Sequence, residues 1–278
     1  MPQGPLVSPE WLHGNLHAVK VVDASWYLPQ MERDAEAEFR DGHVPGAVRF
    51  DIDAIADPAS GLPHTMPTPD EFAAMAGALG LSGRDTIVVY DGMGLFSAPR
   101  VWWMLKAMGA EDVHVLDGGL PTWTAAGYPL AQGEETPTRT RFEPRPVTGA
   151  VADRGAVTEA LGSVTVVDAR PADRFTGETP EPRPGMRSGH MPGARNLPFT
   201  ALQRDGRMLP PDELAEAFRD AGVDPGAPLV STCGSGVTAA TILLAQEALG
   251  HARGRLYDGS WAEWGGRDDT PVETGPPR

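Results

Sequence analysis

The chain repeats itself. VVDASW at 21–26 returns as VVDARP at 166–171, and DGHVPGAVRF at 41–50 returns as SGHMPGARNLPF at 188–199. TIVVYDG at 86–92 returns as PLVSTCG at 228–234, and LDGGLPTW at 116–123 as YDGSWAEW at 257–264. The matches keep their order and nearly their spacing. They set Asp23 against Asp168, His43 against His190, Asp91 against Cys233 and Trp123 against Trp264. A repeat of about 140 residues has the size of a folded domain and is too long for a solenoid unit, so two copies of one domain are expected.

Both copies share a grammar. Short runs rich in Val, Ile and Thr at 19–23, 87–90, 164–168 and 229–232 read as buried parallel strands. Helical patterns lie between them at 69–79, 98–108, 211–221 and 237–249. Thr68-Pro69-Asp70-Glu71 supplies an N-cap, a proline at the first helical position and acids in the first turn, and Pro210-Pro211-Asp212-Glu213 opens the second copy's helix similarly. Alternating strands and helices predict an α/β fold, with a mostly parallel sheet flanked by helices in each domain. The stretch 132–146 (QGEETPTRTRFEPRP) is polar and aperiodic and reads as a linker. The expected domains are therefore 1–131 and 147–278.

The formal charge of −15 argues against unassisted binding to nucleic acid or an anionic membrane, and any anionic substrate has to be drawn in by local arginines. No stretch approaches the ~18 consecutive apolar residues of a membrane span. The opening MPQGPLVSPEWL has neither the basic nor the apolar region of a secretory signal. One cysteine closes no disulfide within the chain, and the simplest compartment is the cytoplasm. The seven histidines are scattered and the cysteine has no partner nearby, so no metal-ligand spacing is present.

That cysteine sits in the most chemically loaded segment, Leu229-Val-Ser-Thr-Cys233-Gly-Ser-Gly-Val-Thr238. A lone cysteine is ordinarily a small buried hydrophobe. Here a strand ends at Thr232, a helix begins near Val237, and a Gly-rich turn between them aims backbone N–H groups inward. The helix dipole adds positive potential. Such a setting favours a thiolate, the form that attacks sulfur, and would equally cradle a persulfide anion. The setting alone does not name the reaction.

Cys233-Gly-Ser-Gly-Val-Thr238 resembles the active-site loop of the 3-mercaptopyruvate sulfurtransferase branch of the rhodanese family. The two GH-x-PGA motifs (42–47 and 189–194) and the DG-x-x-x-x-W pattern are similar to that family's signatures, and the likeness spans residues 6–275. It implies two tandem rhodanese-like domains, the first without a catalytic cysteine. Asp91 stands in repeat one where Cys233 stands in repeat two. The resemblance implies sulfur transfer from 3-mercaptopyruvate through a Cys233 persulfide, cradled by Gly234, Ser235, Gly236, Val237 and Thr238, to cyanide, a thiol or thioredoxin, with release of pyruvate. It assigns Arg174 and Arg183, in the R-F-x-G and P-E-P-R patterns, to binding the keto acid, and joins Ser235 with His64 and Asp53 in a proton-handling triad. The spacing of Asp53 and His64, eleven positions, agrees. The cysteine carries the chemistry, so no metal or organic cofactor is implied.

Three neighbouring readings stand beside this one. Thiosulfate:cyanide sulfurtransferases resemble the loop but carry cationic side chains where this chain has Gly234 and Ser235, both neutral, which favours a monoanionic donor. Cysteine phosphatases place an arginine six residues after the cysteine; here that position is Ala239, so a phosphate would lack its guanidinium fork. A non-catalytic rhodanese-like binding module is the third, opposed by the intact loop and both arginines. His43 and His190 recur in both copies, including the one without a cysteine, so they read as structural, as do Arg170 and Arg187.

Overall fold

The computed structural model describes residues 4–277; Met1, Pro2, Gln3 and Arg278, at the outer bounds of the expected domains, lie outside the described residues. Two compact units emerge. Unit 1 takes residues up to 57, 66–147 and 205–208; unit 2 takes 58–65, 148–204 and those from 209 onward.

Among the described residues, unit 1 contains the strands β1 (Leu6–Val7), β2 (Lys20–Asp23), β3 (Ala47–Arg49), β4 (Thr86–Tyr90) and β5 (Asp112–Leu116). All are parallel and ordered β1-β5-β4-β2-β3. Its helices are α1 (Pro9–Asn15), α2 (Ala35–Asp41), α3 (Pro69–Ala78), α4 (Ala98–Ala107) and α5 (Gly119–Ala125). Unit 2 repeats the plan with β6 (Val151–Ala152), β7 (Thr165–Asp168), β8 (Arg195–Asn196), β9 (Leu229–Thr232) and β10 (Arg255–Tyr257), parallel and ordered β6-β10-β9-β7-β8. Its helices are α6 (Arg154–Ala160), α7 (Ala172–Thr176), α8 (Pro211–Asp220), α9 (Ala239–Ala248) and α10 (Ser260–Trp264). The central strands β4 and β9 are buried along nearly their whole length, as the unbroken apolar runs require. Thr68 and Glu71 close a reciprocal capping box on α3, whereas α8 begins at Pro210 with no side-chain cap.

The histidines of the repeats have the same job twice. His43 stacks on Phe39 at 4.0 Å and its Nδ1 meets the Phe39 carbonyl; His190 stacks on Phe175 at 3.8 Å and meets the Phe175 carbonyl. Both rings are fully buried beside a chain crossing, to Ala131 and Glu273 respectively. Trp123 and Trp264 likewise donate their indole N–H groups to Pro129 and Pro271 carbonyls. These four residues hold the closing segment of each repeat.

The stretch 132–146 is a strap on unit 1 and not a free linker. The Thr140 N–H donates to the Gly77 carbonyl, the Arg145 N–H to the Met108 carbonyl, and Phe142 packs edge-on against Phe72 at 5.4 Å. Glycine makes the approach possible: a Cβ on Gly77 would lie 2.6 Å from the Thr140 carbonyl oxygen. The strap is held by backbone contacts, the Phe142 ring and scattered side-chain bonds such as Thr140 Oγ1 to the Leu81 carbonyl and Gln132 to the Asp41 carbonyl, which leave no periodicity to read.

Candidate active site

Cys233 follows β9, the middle strand of its sheet, at the carboxyl edge where parallel α/β sheets bind ligands. It is 2% exposed. The turn after it is longer than its sequence indicates. Residues 237 and 238 stay out of the helix, which begins at Ala239, and Gly236 adopts φ +79°, a conformation open to glycine. Among the described residues, none accepts a hydrogen bond from the N–H groups of Gly234, Ser235, Val237 or Thr238. Four donors without protein acceptors and the start of a ten-residue helix thus follow the cysteine in the turn.

Unit 1 shows what such a turn holds. Asp91 occupies the corresponding place after β4, and its buried carboxylate accepts five backbone N–H bonds. They come from Met93 and Gly94 at 2.8 and 2.7 Å, and from Phe96, Ser97 and Ala98 at 2.9, 2.9 and 2.8 Å. One copy of the fold fills its turn with a built-in anion. The other places a thiol there and leaves N–H groups without protein acceptors. The loop of unit 1 is an anion cradle, and the loop of unit 2 follows the same strand-to-helix turn.

The base of the loop is tied to the DG-x-x-x-x-W segment. The N–H groups of Trp261 and Ala262 donate to the carbonyls of Cys233 and Gly234 at 2.9 Å, and the Cys233 N–H reaches Ser260 Oγ at 3.4 Å. In unit 1 the Leu120 N–H makes the matching bond to the Asp91 carbonyl at 3.0 Å. Ser260, which sequence reasoning missed, is fully buried at φ +49°, and its partner in the repeat, Gly119, has φ +56°. A serine aligned with a left-handed glycine was the available signal, since only a specific hydroxyl bond justifies that strain.

The predicted residues assemble in part. His64 Nδ1 and Ser235 Oγ are hydrogen-bonded at 3.1 Å, both residues buried and both in unit 2, although 171 positions apart. His64 has φ +61° in a short turn that Ser60 staples, bonding Thr65 Oγ1 at 2.6 Å and the Leu62 carbonyl at 3.2 Å. A side chain held in that conformation is found where the surrounding structure overrides its cost. Arg174, in α7, leans over the loop: a Cβ on Gly234 would lie 3.1 Å from its Nη2. Glycine at 234, besides being neutral, leaves room for the arginine, which would otherwise have to give by a few tenths of an ångström. Arg183 lies half-buried in the irregular segment after α7. Asp53 belongs to unit 1, is exposed, and accepts the Trp26 indole N–H at 2.9 Å.

Two arginines prove structural. Arg170 is buried and donates to both oxygens of Asp168, to Glu181 and to the Gly189 carbonyl, with its guanidinium 4.3 Å over the Trp261 ring. Burial opposes its charge, yet Asp168 and Glu181 outweigh that and hold its pKa above the ordinary arginine value. Arg187 ties the chain end through the Gly265, Trp264 and Thr270 carbonyls. Glu181 was missed because an acid in a Pro-rich loop reads as solvated, whereas its side chain is fully buried. Among the described residues, no group of three or more His, Cys, Asp or Glu side chains is placed to hold a metal, and no helix is long and apolar enough to cross a membrane.

Fold and loop together define a tandem parallel α/β protein in which one strand-to-helix turn carries a cysteine and its counterpart is closed by an aspartate. The rhodanese-like domain family matches residues 8–126 and 154–267, and the chain belongs to that family. A 3-mercaptopyruvate sulfurtransferase of Escherichia coli (strain K12) is 42% identical over 96% of this chain and 97% of its own. A thiosulfate sulfurtransferase of Gallus gallus is 40% identical over 93% and 92%. A crystal structure from Escherichia coli, described as the rhodanese fold and catalytic mechanism of 3-mercaptopyruvate sulfotransferases, superposes with a TM-score of 0.86 at 39% identity, covering 93% of this chain and 99% of that one.

Proposed function

We propose that the chain is a sulfurtransferase that takes sulfur from 3-mercaptopyruvate onto Cys233 and passes it to a thiophile. The carrying observation is the pair of matched loops: five N–H bonds to a carboxylate in one, and in the other a cysteine followed by N–H groups without protein acceptors. A persulfide anion satisfies the second loop as Asp91 satisfies the first.

In the first half-reaction Arg174 and Arg183 hold the carboxylate and ketone of the donor. The Cys233 thiolate attacks the donor sulfur; an S–S bond forms as the C–S bond breaks, and the electron pair leaves with carbon as an enolate. A proton delivered through Ser235 and His64 converts the enolate to pyruvate, balanced by the proton the new persulfide loses. The resemblance adds Asp53 to this relay, and Asp53→Asn, read by a pH–rate profile, tests its share. In the second half-reaction cyanide, a small thiol or reduced thioredoxin attacks the outer sulfur and restores the thiolate. Such double displacement gives ping-pong kinetics. We place the reaction in the cytoplasm.

Sequence identity alone does not separate the donors, since relatives named for each are nearly equally similar. Local charge favours the keto acid: position 234 is glycine, Ser235 is engaged with His64, and Arg174 is paired with a buried glutamate. The expected result is a kcat/KM for mercaptopyruvate exceeding that for thiosulfate by at least about tenfold, and the reverse order would reassign the donor.

The relay predicts a donor-dependent effect. His64→Ala should lower turnover with mercaptopyruvate by about tenfold or more, because the enolate needs a proton. Turnover with thiosulfate should change little, because sulfite leaves without one. A loss below about threefold with mercaptopyruvate would remove His64 from the proton path.

A further inference from the structure

The buried carboxylate of Glu181 has no step in the chemistry above, yet it joins the two arginines nearest the loop. Its Oε1 accepts from Arg170 Nη1 at 2.7 Å and from Arg174 Nε at 3.2 Å, and its Oε2 accepts from Arg174 Nη2. Arg170 is in turn fixed to Asp168 at the end of β7 by a 2.6 Å ion pair. The result is a ladder of alternating charge, Asp168–Arg170–Glu181–Arg174, running from the sheet to the loop. Arg174 is the one rung that solvent reaches, with 21% of its side chain exposed against 1% or less for the others.

Glu181 grips Arg174 side-on, through Nε and Nη2. A guanidinium has five N–H donors, so three stay on the far edge, and Nη1 has no acceptor among the described residues. Nη2, which keeps one N–H beyond its bond to Glu181, lies beside Gly234. The ladder carries no net charge, two carboxylates offsetting two guanidinia. A donor docking on Arg174 therefore meets directed N–H groups with little surplus positive potential. This suits one carboxylate and disfavours a dianion, whose second charge goes uncompensated.

Resting on the mercaptopyruvate reading, we propose that Glu181 is the positioning and specificity residue of the donor site: it aims Arg174 at the carboxylate of the donor and discriminates against dianionic donors by cancelling positive charge. It touches no reacting atom and acts through Arg174.

The test is steady-state kinetics of Glu181→Gln and Glu181→Asp with mercaptopyruvate and with thiosulfate, cyanide being the acceptor. Glutamine keeps the shape, removes the charge and turns an amide N–H toward a guanidinium. KM for mercaptopyruvate should rise about tenfold with kcat within about twofold. The ratio of kcat/KM for mercaptopyruvate over thiosulfate should fall at least about tenfold, because a freed positive charge helps the dianion more. Aspartate keeps the charge but falls a methylene short, so KM should rise for both donors while the ratio stays near that of the parent protein. Discharge of a preformed Cys233 persulfide by cyanide should be unchanged in both variants, a readout that general damage to the site would lower.

An unchanged donor ratio in Glu181→Gln would overturn the specificity role. Should that variant lose its fold, an unchanged mercaptopyruvate KM in Glu181→Asp would overturn the positioning role. A parent protein that turns over thiosulfate but not mercaptopyruvate would instead overturn the proposed function, and is visible before any variant is made.

Discussion

Replacing Cys233 with serine is expected to abolish sulfur uptake while leaving the fold intact. Brief exposure of the parent protein to 3-mercaptopyruvate should add about 32 Da, one sulfur, to the intact mass, and cyanide should remove it. The serine variant should show no gain and should lose at least about three orders of magnitude in turnover, the scale on which enzymes lose rate when the covalent nucleophile is deleted. A hydroxyl is a poor nucleophile toward sulfur and forms no persulfide, however well the N–H groups of Gly234, Ser235, Val237 and Thr238 are arranged. The substitution is nearly isosteric, and the surrounding donors give the hydroxyl oxygen partners in place of a sulfur anion. Sulfur uptake by the Cys233→Ser variant would refute the assignment. An adduct on the parent protein from thiosulfate alone would keep the persulfide and change the donor.

The second large effect is on stability and falls on a residue with no part in the reaction. Asp91→Ala should destabilise the protein by about 3–5 kcal/mol, read as a shift of the urea midpoint followed by tryptophan fluorescence. The alanine leaves five N–H groups, those of Met93, Gly94, Phe96, Ser97 and Ala98, without their acceptor at a buried turn that opens α4. Hydrogen bonds to a charged acceptor contribute about 1.5–3 kcal/mol each, and water entering the space left by the carboxylate recovers part of the loss. Asp91→Asn should cost less, about 2 kcal/mol, because its amide keeps one accepting oxygen but turns donors toward donors. A shift below about 1 kcal/mol for the alanine variant would mean that the turn holds itself without an anion. It would also weaken the reading of the Cys233 loop as a cradle, since the two loops share their construction.

Much of this was legible from local patterns. Duplication, buried parallel strands and the capped start at Thr68 each depend on residues a few positions apart, so the hydrophobic period and the turn chemistry carry them. The Cys-Gly-Ser-Gly-Val-Thr turn was readable for the same reason: a strand end, small residues and a helix start are consecutive. Unreadable features depend on partners distant in the chain. His64 meets Ser235 across 171 positions, a pairing that the family resemblance supplied and no local pattern marks, and the segment 58–65 groups with unit 2 without any local signal. The strap at 132–146 is bound by carbonyls approaching Gly77, an interaction that belongs to the backbone and has no side-chain signature.

The charged residues mark the division most sharply. The sequence by itself determined that Asp91 stands in the first copy where Cys233 stands in the second, and that Cys233 lies on a glycine-rich turn; the resemblance added Arg174 and Arg183. Only the tertiary structure decided which of these charges face inward. Asp91 closes its loop, Arg170 is locked to Asp168, and Glu181 is drawn into the protein to hold Arg174 over Gly234. The reason is electrostatic: a carboxylate or guanidinium is buried only where an opposite charge or a set of N–H groups replaces its water, and those partners come from other strands and turns.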